Sequence, residues 1–513
     1  MPITVRGANN TSVTVSAGSG DIANLAAQIV HELSTPGLAL TTTSAQPYEI
    51  PAAPIVPPGG KNLVVLTGAF SGSATVPAGY HHVVDNTTGN ATISGTDITL
   101  IGNDDGGTYF IAGNSTIAAA GGSNYLSGIG NVLMSAAEGS DTLLGLGTGT
   151  MHGGGGTNTL VGSGAIHMIA QGTKDVIFAA AGDNTVSSSG HGAAIFGGSG
   201  SITAGISGDN TTVAAGGAHL FASLHGSNAV VFGGAGTTNI SVYGRGSTLV
   251  GGSGSGTINA GSSGALIFGS SGVLNVYSGS GTSTFVGGAG AATVSATGSA
   301  MVFGGAGMVN LQGGSGVLTV IGGVGGQEQV TVGAGGLAQL EGEGGDATIF
   351  SGAGEAHLYG ASNSYINFVG SDKGAIWAGG SGNETINASW SSTNNTLFGS
   401  QSDSNSGARM IGGSGNDQFV AGQGTATMTG GDGSDSFTFF NILTVGKASV
   451  ITDFQAVDEV DILGYGQTAD QLLDTATFTA GSGLTVTLSD HATITFSSLT
   501  NASQLAGRVR SDS

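Results

Sequence analysis

The stretch STLVGGSGSGTINAGSSGALIFGSSGVLNVYSG, residues 247–279, holds an apolar residue at Leu249, Ile258, Ile267 and Val276, one every nine positions, with glycine and serine between them. Each of these residues sits in a short β-branched or aliphatic run, too brief for a helix and bounded by turn formers. The pattern therefore reads as strand, turn, strand, turn. Two strands and two turns make a unit of eighteen residues. Working outward, glycine pairs or their close variants begin at Gly197, Gly216, Gly233, Gly251, Gly269, Gly287, Gly304 and Gly322, in steps of 17 to 19 residues. One such unit cannot bury its apolar side alone, whereas coils stacked at the strand spacing of about 4.8 Å share a continuous core. The expected fold is all-β: a parallel β-solenoid of about 18 residues per coil, with a short N-terminal helix and a C-terminal β cap.

Composition agrees with a repeat protein. Of 513 residues 100 are glycine, 39 % are hydrophobic, 8 % are charged and none is cysteine. The absence of a three-residue glycine period excludes collagen, the apolar content argues against simple disorder, and no disulfide contributes. Nine Lys+Arg against 31 Asp+Glu give a net charge of −22, which repels nucleic acid and anionic membranes and attracts divalent cations. The start, MPITVRGANNTSVTV, lacks the charged and apolar regions of a cleaved secretory signal, and no apolar run has membrane-spanning length, so no transmembrane segment is expected.

Four regions follow from the pattern. Residues 1–61 form an N-terminal segment, with an amphipathic helix over 21–33 (Ile22, Leu25, Ala26, Ile29 and Leu33 on one face) and a proline-rich linker at 46–60. Residues 62–129 are a β-rich lead-in, 130–440 the glycine-rich solenoid, and 441–513 a C-terminal cap. Within the cap, LTVTLSDHATITFSSL (484–499) reads as a hairpin turning near Ser489 and Asp490. Phe196, Phe232 and Phe268, 36 residues apart, are expected to stack as a ladder in the core.

Two segments carry chemistry. GGSGNDQFV (412–420) and GGDGSDSFT (430–438) both fit G-G-x-G-x-D-x-U-x, with U apolar. Calcium takes six to eight oxygen ligands, and glycine turns expose carbonyls that can converge with one carboxylate per turn. In an eighteen-residue coil Asp417 and Asp435 fall on one edge, one coil apart, with Gly412, Ser414, Gly430 and Asp432 as further candidate ligands in the same turns. The intervening copy AGQGTATMT, on the opposite edge, has Ala426 at the acidic position. Weaker copies keep Asp141 (AAEGSDTLL, 136–144), Glu384 (GGSGNETIN, 379–387) or only Asn158 (GGGGTNTLV, 153–161). The middle coils, such as GGAGTTNIS, have no carboxylate there and are expected to stack without metal. Asp453, Asp458 and Asp461, in VITDFQAVDEVDIL (450–463), are candidates for additional ligands.

On these motifs the chain resembles RTX-type proteins, the hemolysin-type calcium-binding repeat family exported by type I secretion systems. The resemblance covers about 130–440 in degenerate form, 412–438 closely, and the acidic block after the array. It implies an RTX-like β-roll, Ca2+ as the cofactor, an uncleaved C-terminal export signal read by the type I secretion machinery, and a secreted or cell-surface location. No catalytic motif emerges: HELST (31–35) has Thr35 where a zinc protease needs its second histidine, and there is no G-x-S-x-G. The neighbours His81 and His82 read as a surface turn rather than a metal site. A non-enzymatic, extracellular structural protein is expected, self-assembling with copies of itself into a filament, surface layer or biofilm matrix. The rival readings are an adhesin or ice- or glycan-binding rod, and a β-helix carbohydrate-active enzyme.

Overall fold

In the computed structural model, residues 2–6, 12–16, 31, 40–261, 264–323, 326–333, 338–341, 346–351, 356–360, 363–370, 373–400 and 405–512 are described. The helix expected over 21–33 lies, but for His31, outside them. The described residues are almost all β, with mostly parallel strands coiled into a solenoid at about 18 residues per turn. The chain divides into two compact units, residues 1–254 and 255–513.

In the first unit Leu40–Ala45 already pairs in parallel with Lys61–Ala69, so the proline-rich stretch spans two stacked strands. Four long strands follow: Thr108–Ala118, Tyr125–Ser135, Thr142–His152 and Thr159–Ala170. Each pairs directly with the next, 17 residues on, and each bends at a glycine of positive φ: Gly113, Gly130, Gly147 and Gly164. These glycines lie in register, and the reason is steric as well as conformational. A Cβ on Gly147 would stand 2.5 Å from the carbonyl oxygen of Gly130, and one on Gly164 would stand 2.0 Å from that of Gly147. Beyond residue 176 the coil becomes two strands and two turns at a step of 18, as in Val176↔Ala194↔Thr212↔Val230↔Thr248.

Stacking these coils builds columns. Leu143, Leu160, Ile177, Ile195, Val213, Val231 and Leu249 form one interior column with no solvent exposure. Each such burial contributes about 1.5–3 kcal/mol relative to an exposed side chain. The four apolar positions spaced nine apart, Leu249, Ile258, Ile267 and Val276, are all buried. The phenylalanines are not core. Phe196 and Phe232 are 38 % and 45 % exposed, and Phe268 is partly exposed. Ile195, Val231 and Ile267, one residue earlier, take the interior position, and side-chain alternation along a strand sends the ring outward.

In the second unit the interior columns are Ile267, Phe285, Val302 and Val320, and Val276, Val294 and Leu311. Its later turns lengthen: Leu318 pairs with Ala338, Thr396 with Gln418 and Ser436 with Glu459. At the C-terminus Gly483–Thr487 and Thr493–Phe496 form the expected antiparallel hairpin, turning at His491 (φ +69°). Thr493–Phe496 pairs in parallel with Ala448–Ile451, which covers the open edge of that coil. No helix among the described residues is long and apolar enough to cross a membrane.

Candidate metal centre

The two nonapeptides form successive turns on one edge of the second unit, and their aspartates point inward. Asp417 and Asp435 are both buried. Asn395 donates through its backbone N (2.7 Å) and Nδ2 (2.8 Å) to Asp417 Oδ1; Asp417 N donates to Asp435 Oδ1 (2.8 Å); Asp435 N donates to Asp458 Oδ1 (3.0 Å). Each side chain thus caps the backbone N–H of the coil before it. Glycine opens each motif because the carboxylate needs the space: a Cβ on Gly412 would lie 2.3 Å from Asp417 Oδ2, and one on Gly430 2.3 Å from Asp435 Oδ2.

The two turns differ in one respect. Gly413 N donates to Asp417 Oδ2 at 2.7 Å, and Gln455 N donates to Asp458 Oδ2 at 2.7 Å. In the turn between, Gly430 N and Gly431 N instead donate to the carboxylate of Asp453, at 2.8 and 2.9 Å. Asp435 Oδ2 is left buried with no partner. Burial, followed by repulsion from Asp458, Asp417 and Asp453, pushes the Asp435 carboxyl up to about 7, against the opposing hydrogen bond from Asp417 N. Burial also raises Asp417 and Asp458, the latter relieved in part by hydrogen bonds and by Arg508. A buried carboxylate without a compensating charge is costly, and a divalent cation bound there would supply that charge.

The remaining candidates are distributed as follows. Ser414 and Asp432 are exposed in the turns, and Gly412 and Gly430 are buried. Asp461 accepts from Ser436 Oγ at 3.0 Å on the outer side of its strand. Glu384 lies apart, in register with Ala408 and Ala426; burial raises it to about 7, Gly380 N donates to Oε2 at 2.7 Å, and Oε1 has no partner. Asp141 belongs to a second column in the first unit. Asn124 N donates to Asp141 Oδ1 (2.7 Å), Asp141 N to Asn158 Oδ1 (3.1 Å) and Asn158 N to Asp175 Oδ1 (2.7 Å). His81 is exposed, but His82 is buried.

Sequence reasoning missed Asp175 and Glu328, both buried acids with carboxyls raised by burial. Asp175 follows GTK rather than a glycine-rich turn, and Glu328 sits inside QEQVTV, which reads as a solvent-facing strand. Among the described residues no three His, Asp or Glu side chains converge as a ready-made ligand set. A cation on the Asp417/Asp435 edge would therefore need turn carbonyls as well as carboxylates. The orphaned oxygen and crowded acids of Asp435 fit such an ion. No family model matches the chain, and no curated protein does.

Proposed function

We propose that this is an extracellular structural protein: a calcium-stabilised β-solenoid whose copies associate side by side into a filament, surface layer or biofilm matrix. The observation that carries the reading is an uncharged apolar face. In the first unit Leu144, Val161, Phe178, Phe196, Ala214, Phe232 and Val250 lie in register on the outer side of successive strands. Phe178 and Phe196 stack with ring centroids 5.3 Å apart. In the second unit Phe268, Val286, Phe303 and Ile321 form a column of the same kind. A contiguous exposed apolar patch on a folded domain marks an interaction surface.

A second copy is the occupant the charge distribution favours. The chain carries −22, yet none of these strand segments, from Thr142–Leu144 to Thr248–Val250 and from Leu266–Phe268 to Leu318–Ile321, holds a charged residue. Two such faces meet without bringing carboxylates together, while the rest of the acidic surface repels other contacts. Calcium enters at the Asp417/Asp435 edge, with Asp453 and Asp458 alongside, and holds the last coils and their hairpin in place. Export through a type I system rests on the RTX resemblance of the motifs and the C-terminal block. Catalysis plays no part in this function.

Negative-stain electron microscopy and sedimentation of the full chain test the reading. With calcium, wild-type protein forms ordered assemblies that dissolve on chelation, and the double variant Phe196→Ser, Phe232→Ser stays as single particles with unchanged circular dichroism. Single particles for the wild type in both conditions, or assemblies unaffected by the double variant, overturn it.

A further inference from the structure

A cleft in the first unit lies apart from both the acidic edge and the apolar column just described. It occupies about 560 Å³ over the outer face of Ser73–Thr75, Thr92–Thr96, Thr108–Ala118 and Tyr125–Ser135, and is rimmed by Val76, by residues 78–81 and by Asp97. Its floor mixes two chemistries. Thr75, Ser94, Phe110 and Ser127 stand in one register column, and Thr96, Ala112 and Ile129 in the next but one. Phe110 is 42 % and Ile129 58 % exposed, so an aromatic ring and an aliphatic branch are offered to a ligand beside hydroxyl groups.

The polar groups around that ring are held in place. Thr75 Oγ1 and Ser94 Oγ lie 3.0 Å apart, a hydroxyl pair able both to donate and to accept. Asn114 N donates to Asp97 Oδ1 at 2.8 Å, which fixes the carboxylate and leaves the second oxygen as an acceptor. Asp97 itself has a left-handed backbone (φ +55°), and its carboxylate fills space that only a glycine leaves open: a Cβ on Gly113 would lie 2.2 Å from Asp97 Oδ1. Asn62 N donates to His81 Nδ1 at 3.2 Å, so the proton of the neutral imidazole sits on Nε2, which becomes a donor.

No lysine or arginine lines the cleft and Asp97 is its one carboxylate, which disfavours phosphate, sulfate or uronic acid ligands. An exposed ring flanked by a fixed acceptor, a fixed donor and a hydroxyl pair matches a sugar ring, which presents an apolar C–H face and a rim of hydroxyls that each donate and accept. We propose that this cleft binds a neutral glycan, with one pyranose stacked on Phe110 and its hydroxyls held by Asp97, His81 and the Thr75/Ser94 pair. The site gives the structural protein a means of attaching to polysaccharide, and it does not depend on the assembly reading.

Saturation-transfer difference NMR of the full chain with lactose, maltose, cellobiose and chitobiose, and with a uronic acid disaccharide as the anionic control, tests this. At least one neutral disaccharide gives saturation transfer to its ring C–H protons. Its affinity falls about tenfold or more in Asp97→Asn and in Phe110→Ser, the loss expected when a charged hydrogen bond or an aromatic contact is removed. Thermal unfolding of Asp97→Asn matches wild type, which separates lost binding from lost fold. Absence of transfer to any neutral sugar, preference for the uronic acid, or equal binding by both variants overturns the proposal.

Discussion

Without a cation, the Asp435 carboxyl ties stability to pH. Its carboxyl is raised to about 7 from an ordinary 3.8, so the folded chain binds the proton more tightly than the unfolded chain. The contribution of this group to the stability of the metal-free protein is then fully present below about pH 4 and is lost as pH rises through about 7. Asp435→Asn removes the charge but keeps a side-chain oxygen for Asp417 N. The metal-free variant should melt on the order of 5 °C above wild type at pH 8 and together with it at pH 4, followed by circular dichroism. A wild type whose melting temperature is flat from pH 4 to 8, or a variant that melts lower at pH 8, argues against this account. The pairing of Asp417 with Asp435 was legible from the repeated motif. The capping of backbone N–H groups by these acids was not, because a motif gives the spacing of side chains and not their direction. Asp175 does the same work from a turn without the motif, placed only by the register of the strand that follows it.

At the scale of the element, the period was legible and the facing was not. Apolar residues nine apart marked the buried positions, but Phe196 and Phe232 drew attention by size, and their smaller neighbours Ile195 and Val231 took the interior. The stacked glycines of the long bent strands were visible as composition only; the carbonyl of the preceding coil that stands where a Cβ of Gly130, Gly147 or Gly164 would go is a product of stacking. Gly147→Ala meets both a positive φ and that carbonyl and should destabilise by about 2 kcal/mol or more in urea unfolding. Gly205→Ala, in the strand Ser201–Ile206 with open space around its Cα, should change stability by no more than about 0.5 kcal/mol in either direction. Equal costs at the two sites would contradict the steric role of the glycine column.

For the whole molecule, the repeat accounts for a solenoid whose coils fall into two energetic kinds. Those of residues 194–250 are held by fully buried aliphatic columns and contain no buried acid. Those from Asn395 to Asp461 contain stacked buried acids, one with an unpartnered oxygen, and end in a hairpin. The division was legible in outline, since the carboxylates of the motif fade through the middle of the sequence. The changes of coil length were not, because the 17-residue coils and the long turns near the C-terminus are set by bends and insertions between the apolar positions. Hydrogen exchange of the full chain, with calcium and after chelation, tests most directly the claim that calcium secures only the acidic coils. Amide protection should rise with calcium across 395–461 and stay constant across 194–250. No gain at 395–461, or the same gain in both regions, would contradict it.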